Sequence, residues 1–229
     1  MNPEAKEREL DRLMAEIQAV LAGKRSPHTI APYDAIALTV SPSQTLAQVR
    51  TELGDCQRCN LCKTRKNIVF GRGNPSAHLL IIGEAPGEQE DRTGEPFVGR
   101  AGELLEKMLT SVLGLTSEEV YIANVIKCRP PDNRDPDSCE VSACLPFLQD
   151  QIRIIAPKVL LLMGSIATKA VLQSEHGVTR MRGQWHEAYG IPTYATFHPA
   201  NLLRQERNKV YAFEDLKAVE EKIRASKSR

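Results

Sequence analysis

The stretch Leu79-Leu80-Ile81-Ile82-Gly83-Glu84-Ala85-Pro86-Gly87-Glu88-Gln89-Glu90-Asp91 decides how the chain reads. Four branched apolar residues run into a glycine, and an acidic loop broken by proline and glycine follows at once. A short apolar run bounded by turn residues predicts a strand buried on both faces, the pattern of a parallel sheet. In open α/β sheets the ligand crevice lies beyond the carboxyl ends of the strands. Glu84, Glu90 and Asp91 therefore stand where chemistry is expected, although a plain strand-to-helix turn would show the same glycine and proline. A second motif, Phe197-His198-Pro199-Ala200-Asn201-Leu202-Leu203-Arg204, also follows a strand-like run and also sets a polar residue at its end.

Outward from this strand, helical and extended patterns alternate. Thr45 to Leu53 predicts a short helix, and Ala101 to Leu113 a longer one with Leu104, Leu105, Met108, Leu109 and Val112 on one face. Val120 to Ile126 reads as the second strand. The prolines of residues 128–136 exclude regular structure there. Pro136 to Ala156 predicts a helix with Val141, Leu145, Leu148, Ile152 and Ile155 facing inward. Val159 to Met163 is the third strand, ended by Gly164, with Ser165 expected to cap the next helix. Trp185 to Tyr189 and Thr193 to Phe197 read as strands about a Gly190 turn, and Tyr211 to Ala225 as a closing helix. Strands alternating with helices build a parallel sheet covered on both faces.

Ahead of this domain, residues 3–21 carry a helical stripe of Leu10, Leu13, Met14, Ile17, Val20 and Leu21. Residues 24–42, with Pro27, Pro32 and Pro42, show no period and read as a linker. Two regions are expected: the helix and linker at 1–42, and the α/β domain at 43–229. The first helix serves either as a docking or self-associating segment or as a helix packed on the main domain.

The 229 residues suffice for one α/β domain with an appendage, and 26% charged with 41% hydrophobic residues is ordinary for a globular protein. With a net charge of +1, a nucleic-acid partner would need a local basic patch. No apolar run approaches the ~20 residues that span a bilayer, and the N-terminus lacks the apolar core of a signal peptide. A cytoplasmic protein with no membrane contact is expected.

In such a reducing compartment, six cysteines point to metal binding rather than disulfides. Cys56 and Cys59 have CxxC spacing, Cys128 sits in a Cys-Arg-Pro-Pro loop, and Cys144 lies on the helix beyond it. Four thiolates suit a tetrahedral zinc or an iron–sulfur cluster, and spacing does not choose between them. Cys62 reads as a packing residue; Cys139 competes with Cys144 for the fourth position. Phe70-Gly71-Arg72-Gly73-Asn74-Pro75 has the look of a phosphate loop but lacks the Lys-Ser/Thr ending.

The motifs have an order: CxxC, VFGxGNP, a strand into GEAPGxxED, GxPFVGxAG, VYIANVIKCRPP, a cysteine on the next helix, and FHPAxLLR. Together they resemble the family 4 uracil-DNA glycosylases, the iron–sulfur class, over Leu46 to Lys217. The resemblance implies a three-layer α/β/α sandwich around a short central parallel sheet. It implies excision of uracil from single- or double-stranded DNA without strand cleavage, leaving an abasic site. It also implies a [4Fe–4S] cluster on Cys56, Cys59, Cys128 and Cys144. The chain departs from the pattern at Asn201, where relatives commonly carry an aromatic residue. Crosslinking relatives carry a His-containing insertion and a Gln in the first loop. Asp91 to Phe97 has no His and the loop has Ala85, so turnover is expected. The rival reading, a non-catalytic iron–sulfur module that only binds nucleic acid, leaves the Glu84, Asn124 and His198 set without a purpose.

Chemistry on a base requires flipping it out of the stack. Ala85, Phe97, Asn124 and His198 form the expected substrate-binding set. Phe97 would stack on the base. The Asn124 carboxamide would pair with uracil O4 and N3–H, and cytosine reverses that pattern. His198 would donate to the anionic O2 of the departing base. Glu84 would position the water and face the cationic sugar, with Glu90 or Asp91 sharing the role. Arg129, Arg134, Arg180, Arg182, Arg204 and Arg207 are candidate phosphate contacts, and Leu202 and Leu203 candidate wedges into the vacated stack. Glu84 and His198 are expected to follow strands that are neighbours in the sheet.

Overall fold

The computed structural model describes residues 45–227; the helix expected at 3–21 and the linker at 24–42 lie outside them. Six strands form one sheet: β1 (Arg72–Gly73), β2 (Leu79–Gly83), β3 (Tyr121–Asn124), β4 (Val159–Met163), β5 (Trp185–Ala188) and β6 (Ile191–Thr196), in the order β1-β3-β2-β4-β6-β5. The pairs β3–β2, β2–β4 and β4–β6 are parallel, so the centre of the sheet is as expected. Both edges are antiparallel. Strand β1 is a two-residue edge that the sequence did not signal, because Arg72 and Gly73 carry no apolar pattern.

Every residue of β2, β3 and β4 is buried, which is why these segments read as unbroken apolar runs. The second strand is shorter than expected. Val125 and Ile126 still donate to the carbonyls of Gly83 and Glu84, at 2.9 and 3.1 Å, but the chain has left regular strand geometry there.

The helices are α1 (Leu46–Leu53), α2 (Glu88–Thr93), α3 (Arg100–Met108), α4 (Ser138–Ile155), α5 (Ser165–Leu172), α6 (Val178–Met181), α7 (Pro199–Arg204) and α8 (Lys209–Lys227). Thr45 and Gln48 close a capping box on α1, and Asp137 and Glu140 another on α4. Helix α3 runs on into a π-helical turn, Leu109–Leu113, that packs on α8. Ser165 is not a cap. Gly164 holds that position, and the Ser165 hydroxyl accepts instead from the Val178 amide at 3.3 Å.

The connection after β2 leads to β3 on one side, and the chain then crosses to β4 on the other. At such a switch point the loops part and leave a crevice at the strands' carboxyl ends. One expectation is corrected here: β2 and β6 are not neighbours, because β4 lies between them.

Candidate active site

A cavity of about 320 Å³ opens at this crevice, lined by residues that follow three strands. Glu84 and Ala85 come from the turn after β2, Asn124 from the end of β3, and His198, Ala200 and Arg204 from the segment after β6. Phe97 comes from the loop between α2 and α3, and Pro130, Asn133, Arg134 and Asp135 from the proline-rich loop after β3.

Two glycines make the convergence possible. A Cβ on Gly83 would lie 2.4 Å from Asn124 Oδ1 and 2.7 Å from the Phe97 ring, so only glycine lets all three meet. Gly164 ends β4 with φ +91°, and a Cβ there would press on His198 at 3.1 Å. The glycine thus clears the strand that separates β2 from β6, and His198 reaches the cavity.

Asn124 is buried, and its Oδ1 has no hydrogen-bond partner among the described residues. An orphaned buried acceptor costs about 1–3 kcal/mol, so a cavity wall that carries one is set to receive a donor. Phe97 is buried with φ +55°, a left-handed conformation rare for a bulky residue. Its loop is held at several points. One oxygen of Glu90 accepts from the Val98 and Gly99 amides at 2.9 Å each, and the other from the Gly87 amide at 3.1 Å. Arg72 donates to the carbonyls of Pro96 at 2.9 Å and Phe97 at 3.4 Å.

His198 and Phe97 face each other with ring centroids 5.4 Å apart. The Ala200 amide donates to His198 Nδ1 at 3.1 Å, which makes Nδ1 the acceptor and leaves the proton on Nε2. Burial, with the Arg204 cation adding to it and Glu90 opposing, pushes His198 down to about 4. The imidazole is a neutral donor at physiological pH. Burial also pushes Glu84 up to about 7; Asp135 raises it further and Arg204 opposes. Glu84 thus titrates where a general base is most useful.

The structure separates the other candidates. Asp91 is buried away from the cavity, and its Oδ1 accepts from the amides of Lys66 at 2.8 Å and Asn67 at 3.3 Å; it fastens a loop and meets no substrate space. Glu90 borders the cavity, but its carboxylate is taken up by three amides. Leu202 is buried in the core, whereas Leu203 is exposed at the surface beside Arg204. Arg182 is committed to Asp215 through two bonds of 2.9 and 3.0 Å and to the Tyr211 carbonyl, so it is a structural cation rather than a phosphate contact. Arg134 grips Glu140 through both nitrogens. Arg129 donates to Asn133 at 2.8 Å, and Arg180 stands exposed beside His176. Asn201 accepts from the Asn208 side chain at 2.8 Å and so ties α7 to the turn before α8. Arg72, Asn133 and Asp135 were missed as site residues. Position alone could have flagged the last two, since they follow a strand's carboxyl end.

On another part of the domain, Cys56, Cys59, Cys128 and Cys144 share one neighbourhood. Cys144 feels the charges of Cys56 and Cys59, and Cys128 those of Cys144 and Cys59. Burial pushes the Cys128 thiol up to about 12, against the pull of Arg65. Donors already point at the sulfurs: Arg58 at Cys56 (3.5 Å), Arg65 at Cys128 (3.7 Å) and the Lys127 amide at Cys144 (3.2 Å). Among the described residues no group of three or more His, Cys, Asp or Glu side chains is tight enough for a single metal ion. Cys139 is exposed, and Cys62 is half-buried rather than a core residue.

With this geometry in view, the profile of the Uracil DNA glycosylase superfamily matches residues 70–219. The chain is 40% identical over 185 residues to the type-4 uracil-DNA glycosylase of Sulfurisphaera tokodaii, covering 77% of this chain and 84% of that one. The chain belongs to the type-4 uracil-DNA glycosylases. The type-4 enzyme of Thermotoga maritima is 43% identical over 159 residues, covering 68% of this chain and 81% of its own. A type-5 uracil-DNA glycosylase from Pyrobaculum aerophilum is more distant, at 30% over 146 residues. No helix among the described residues is long and apolar enough to cross a membrane.

Proposed function

We propose that the protein flips uracil out of single- or double-stranded DNA into the cavity and hydrolyses its N-glycosidic bond, leaving an abasic site. The observation that carries this reading is the unpartnered Oδ1 of Asn124, buried beside the Phe97 ring. Uracil offers N3–H to that oxygen and O4 to the amide nitrogen of the same carboxamide. Cytosine presents an acceptor where N3–H would be and leaves the Asn124 acceptor unpaired, which is a strong ground for rejection.

The roles of the remaining groups follow from their protonation. Glu84, as carboxylate, orients a water toward the sugar carbon and faces its developing positive charge. The Nε2–H of His198 donates to O2 of the departing uracil anion. A neutral donor is the useful form here, since it steadies the anion without handing over its proton beforehand. Removing one such preorganised donor costs about 10²- to 10³-fold in rate. Phe97 stacks on the base, and the adjoining Ala85 turn closes over it. Arg204 at the mouth, the half-buried Arg129 and the exposed Arg180 are available to phosphates, and Leu203 to the gap in the stack.

Cys56, Cys59, Cys128 and Cys144 would hold a [4Fe–4S] cluster. The shared neighbourhood of the four cysteines and the donors directed at their sulfurs support this reading. When bound, the cluster supplies a crosslink between the segment after α1, the loop after β3 and helix α4. Thiols kept for this purpose fit a reducing, cytoplasmic setting.

The test is incubation of the purified full-length protein with a uracil-containing oligonucleotide, followed by alkali. Cleavage at the uracil position and none at a cytosine control is the expected result; intact strands would refute the reading.

A further inference from the structure

Lys127 follows Asn124 by three residues and is fully buried, yet no carboxylate pairs with it among the described residues. Its Nζ donates to the main-chain carbonyl of Asn124 at 2.9 Å and to Gln151 Oε1 at 2.6 Å, and lies 6.0 Å from the centre of the Phe70 ring. Gln151 is fixed in turn, its Nε2 donating to the Phe70 carbonyl at 2.9 Å. The Lys127 amide donates to Cys144 Sγ at 3.2 Å, and its carbonyl accepts from the Val69 amide at 2.8 Å.

Burying an ammonium is costly; Cys144 and Cys128 are the neighbours whose negative charge, as thiolates, would offset part of that cost. The contacts of Lys127 suggest a purpose. Edge strand β1 pairs with β3 no further than Ile122, and the Asn124 carbonyl takes its donor from Lys127 instead. That carbonyl belongs to the residue whose side chain stands 2.4 Å from the Cβ position of Gly83, where a small rotation would collide or retreat from the base.

We propose that Lys127 is the positioning residue of the base-reading carboxamide: its ammonium fixes the Asn124 main chain and fastens that strand end to the cysteine-bearing loop. The proposal rests on Asn124 being the group that reads uracil. Lys127 touches no substrate and acts only through Asn124. A displacement of well under 1 Å at the carboxamide weakens both of its hydrogen bonds to the base, while phosphate contacts elsewhere are untouched.

The test compares full-length wild type with Lys127→Met, measuring affinity for free uracil by calorimetry and affinity for an oligonucleotide carrying an abasic site. The variant is expected to bind uracil about tenfold or more weakly and to lose kcat in step. Its abasic-site affinity and visible absorption should stay as in wild type. Unchanged uracil affinity overturns the proposal, and so does an equal loss of uracil and abasic-site affinity, which would mean general loosening. Should Lys127→Met fail to fold, Gln151→Met frees Nζ from one of its two acceptors and is expected to show the same split to a smaller degree; no split overturns the proposal. A wild-type protein that neither binds nor excises uracil would refute the underlying reading instead.

Discussion

The Asn124 side-chain oxygen stands where Gly83 would carry a Cβ, at a distance of 2.4 Å, with the Phe97 ring only 2.7 Å from the same point. The carboxamide and the ring are therefore placed by what Gly83 lacks. Gly83→Ala should keep the fold, since β2 accepts a small side chain in extended backbone, but should lower kcat/KM by about 10²-fold by displacing both groups. Circular dichroism and single-turnover excision would separate the two effects. Gly114→Ala is the control. Its φ of +63° costs stability on substitution, but nothing lies within 4 Å of its Cβ position, so excision should be unchanged.

The pH profile reports Glu84. The reactive form is the carboxylate, whose fraction grows as pH rises through the folded value of about 7. The rate should therefore climb from about pH 6 to about pH 8. Asp135→Asn removes a negative neighbour, eases ionisation, and should move this limb to lower pH. Arg204→Ala removes a positive neighbour and should move it to higher pH. His198, at about 4, stays neutral over this range and adds no second limb. A limb that ignores both substitutions would assign the titration to another group.

Glu84→Gln and His198→Ala should each lower the rate by roughly 10² or more while changing DNA affinity far less, because phosphate contacts supply most of that affinity. Proportional loss of binding and rate would make these residues scaffolding for the loops. Glu90→Gln should behave in that scaffolding manner, since its carboxylate serves only backbone amides.

Cys59→Ser should abolish the broad visible absorption of an iron–sulfur protein and lower the melting temperature, because ligand loss uncouples the segment after α1 from α4. Cys62→Ser and Cys139→Ser should leave both unchanged. Iron and sulfide analysis beside the spectra would decide the assignment, and a colourless protein with stoichiometric zinc would overturn it.

Leu202 and Leu203 are adjacent in sequence and opposite in setting. Leu202→Ala should cost about 2–5 kcal/mol of stability, as for a buried leucine. Leu203→Ala should alter stability by less than about 0.5 kcal/mol yet slow excision from duplex DNA more than from single strands. Thermal melts and paired substrate assays test both halves.

Much of this was legible in the residues because burial and turn chemistry leave local marks. The all-apolar runs at 79–82 and 159–163 mark strands covered on both sides, and the glycine after each marks its exit. Glu84, Asn124 and His198 were legible by position at strand ends. What escaped were relationships between distant segments. Asp91 looked as well placed as Glu84, but helix α2 turns it toward Lys66 and Asn67. Arg182 looked like one of several loose cations until Asp215, from the closing helix, met it. Strand order escaped for the same reason: hydrophobic period specifies a strand, and nothing local says that β4 lies between β2 and β6.

The three amides gathered by Glu90 belong to residues 87, 98 and 99, the two shoulders of one excursion of the chain. A single side chain thus works as a buckle, and the pose of Phe97 depends on the buckle and on Arg72 more than on the length of chain between the shoulders. The side chains of Arg92, Thr93 and Glu95 are exposed on that excursion and take no part in the buckle's three bonds. Recharging those exposed side chains leaves the buckle's bonds in place, so this is where descendants of such an enzyme have room to acquire new handling of DNA while the reading of the base stays put.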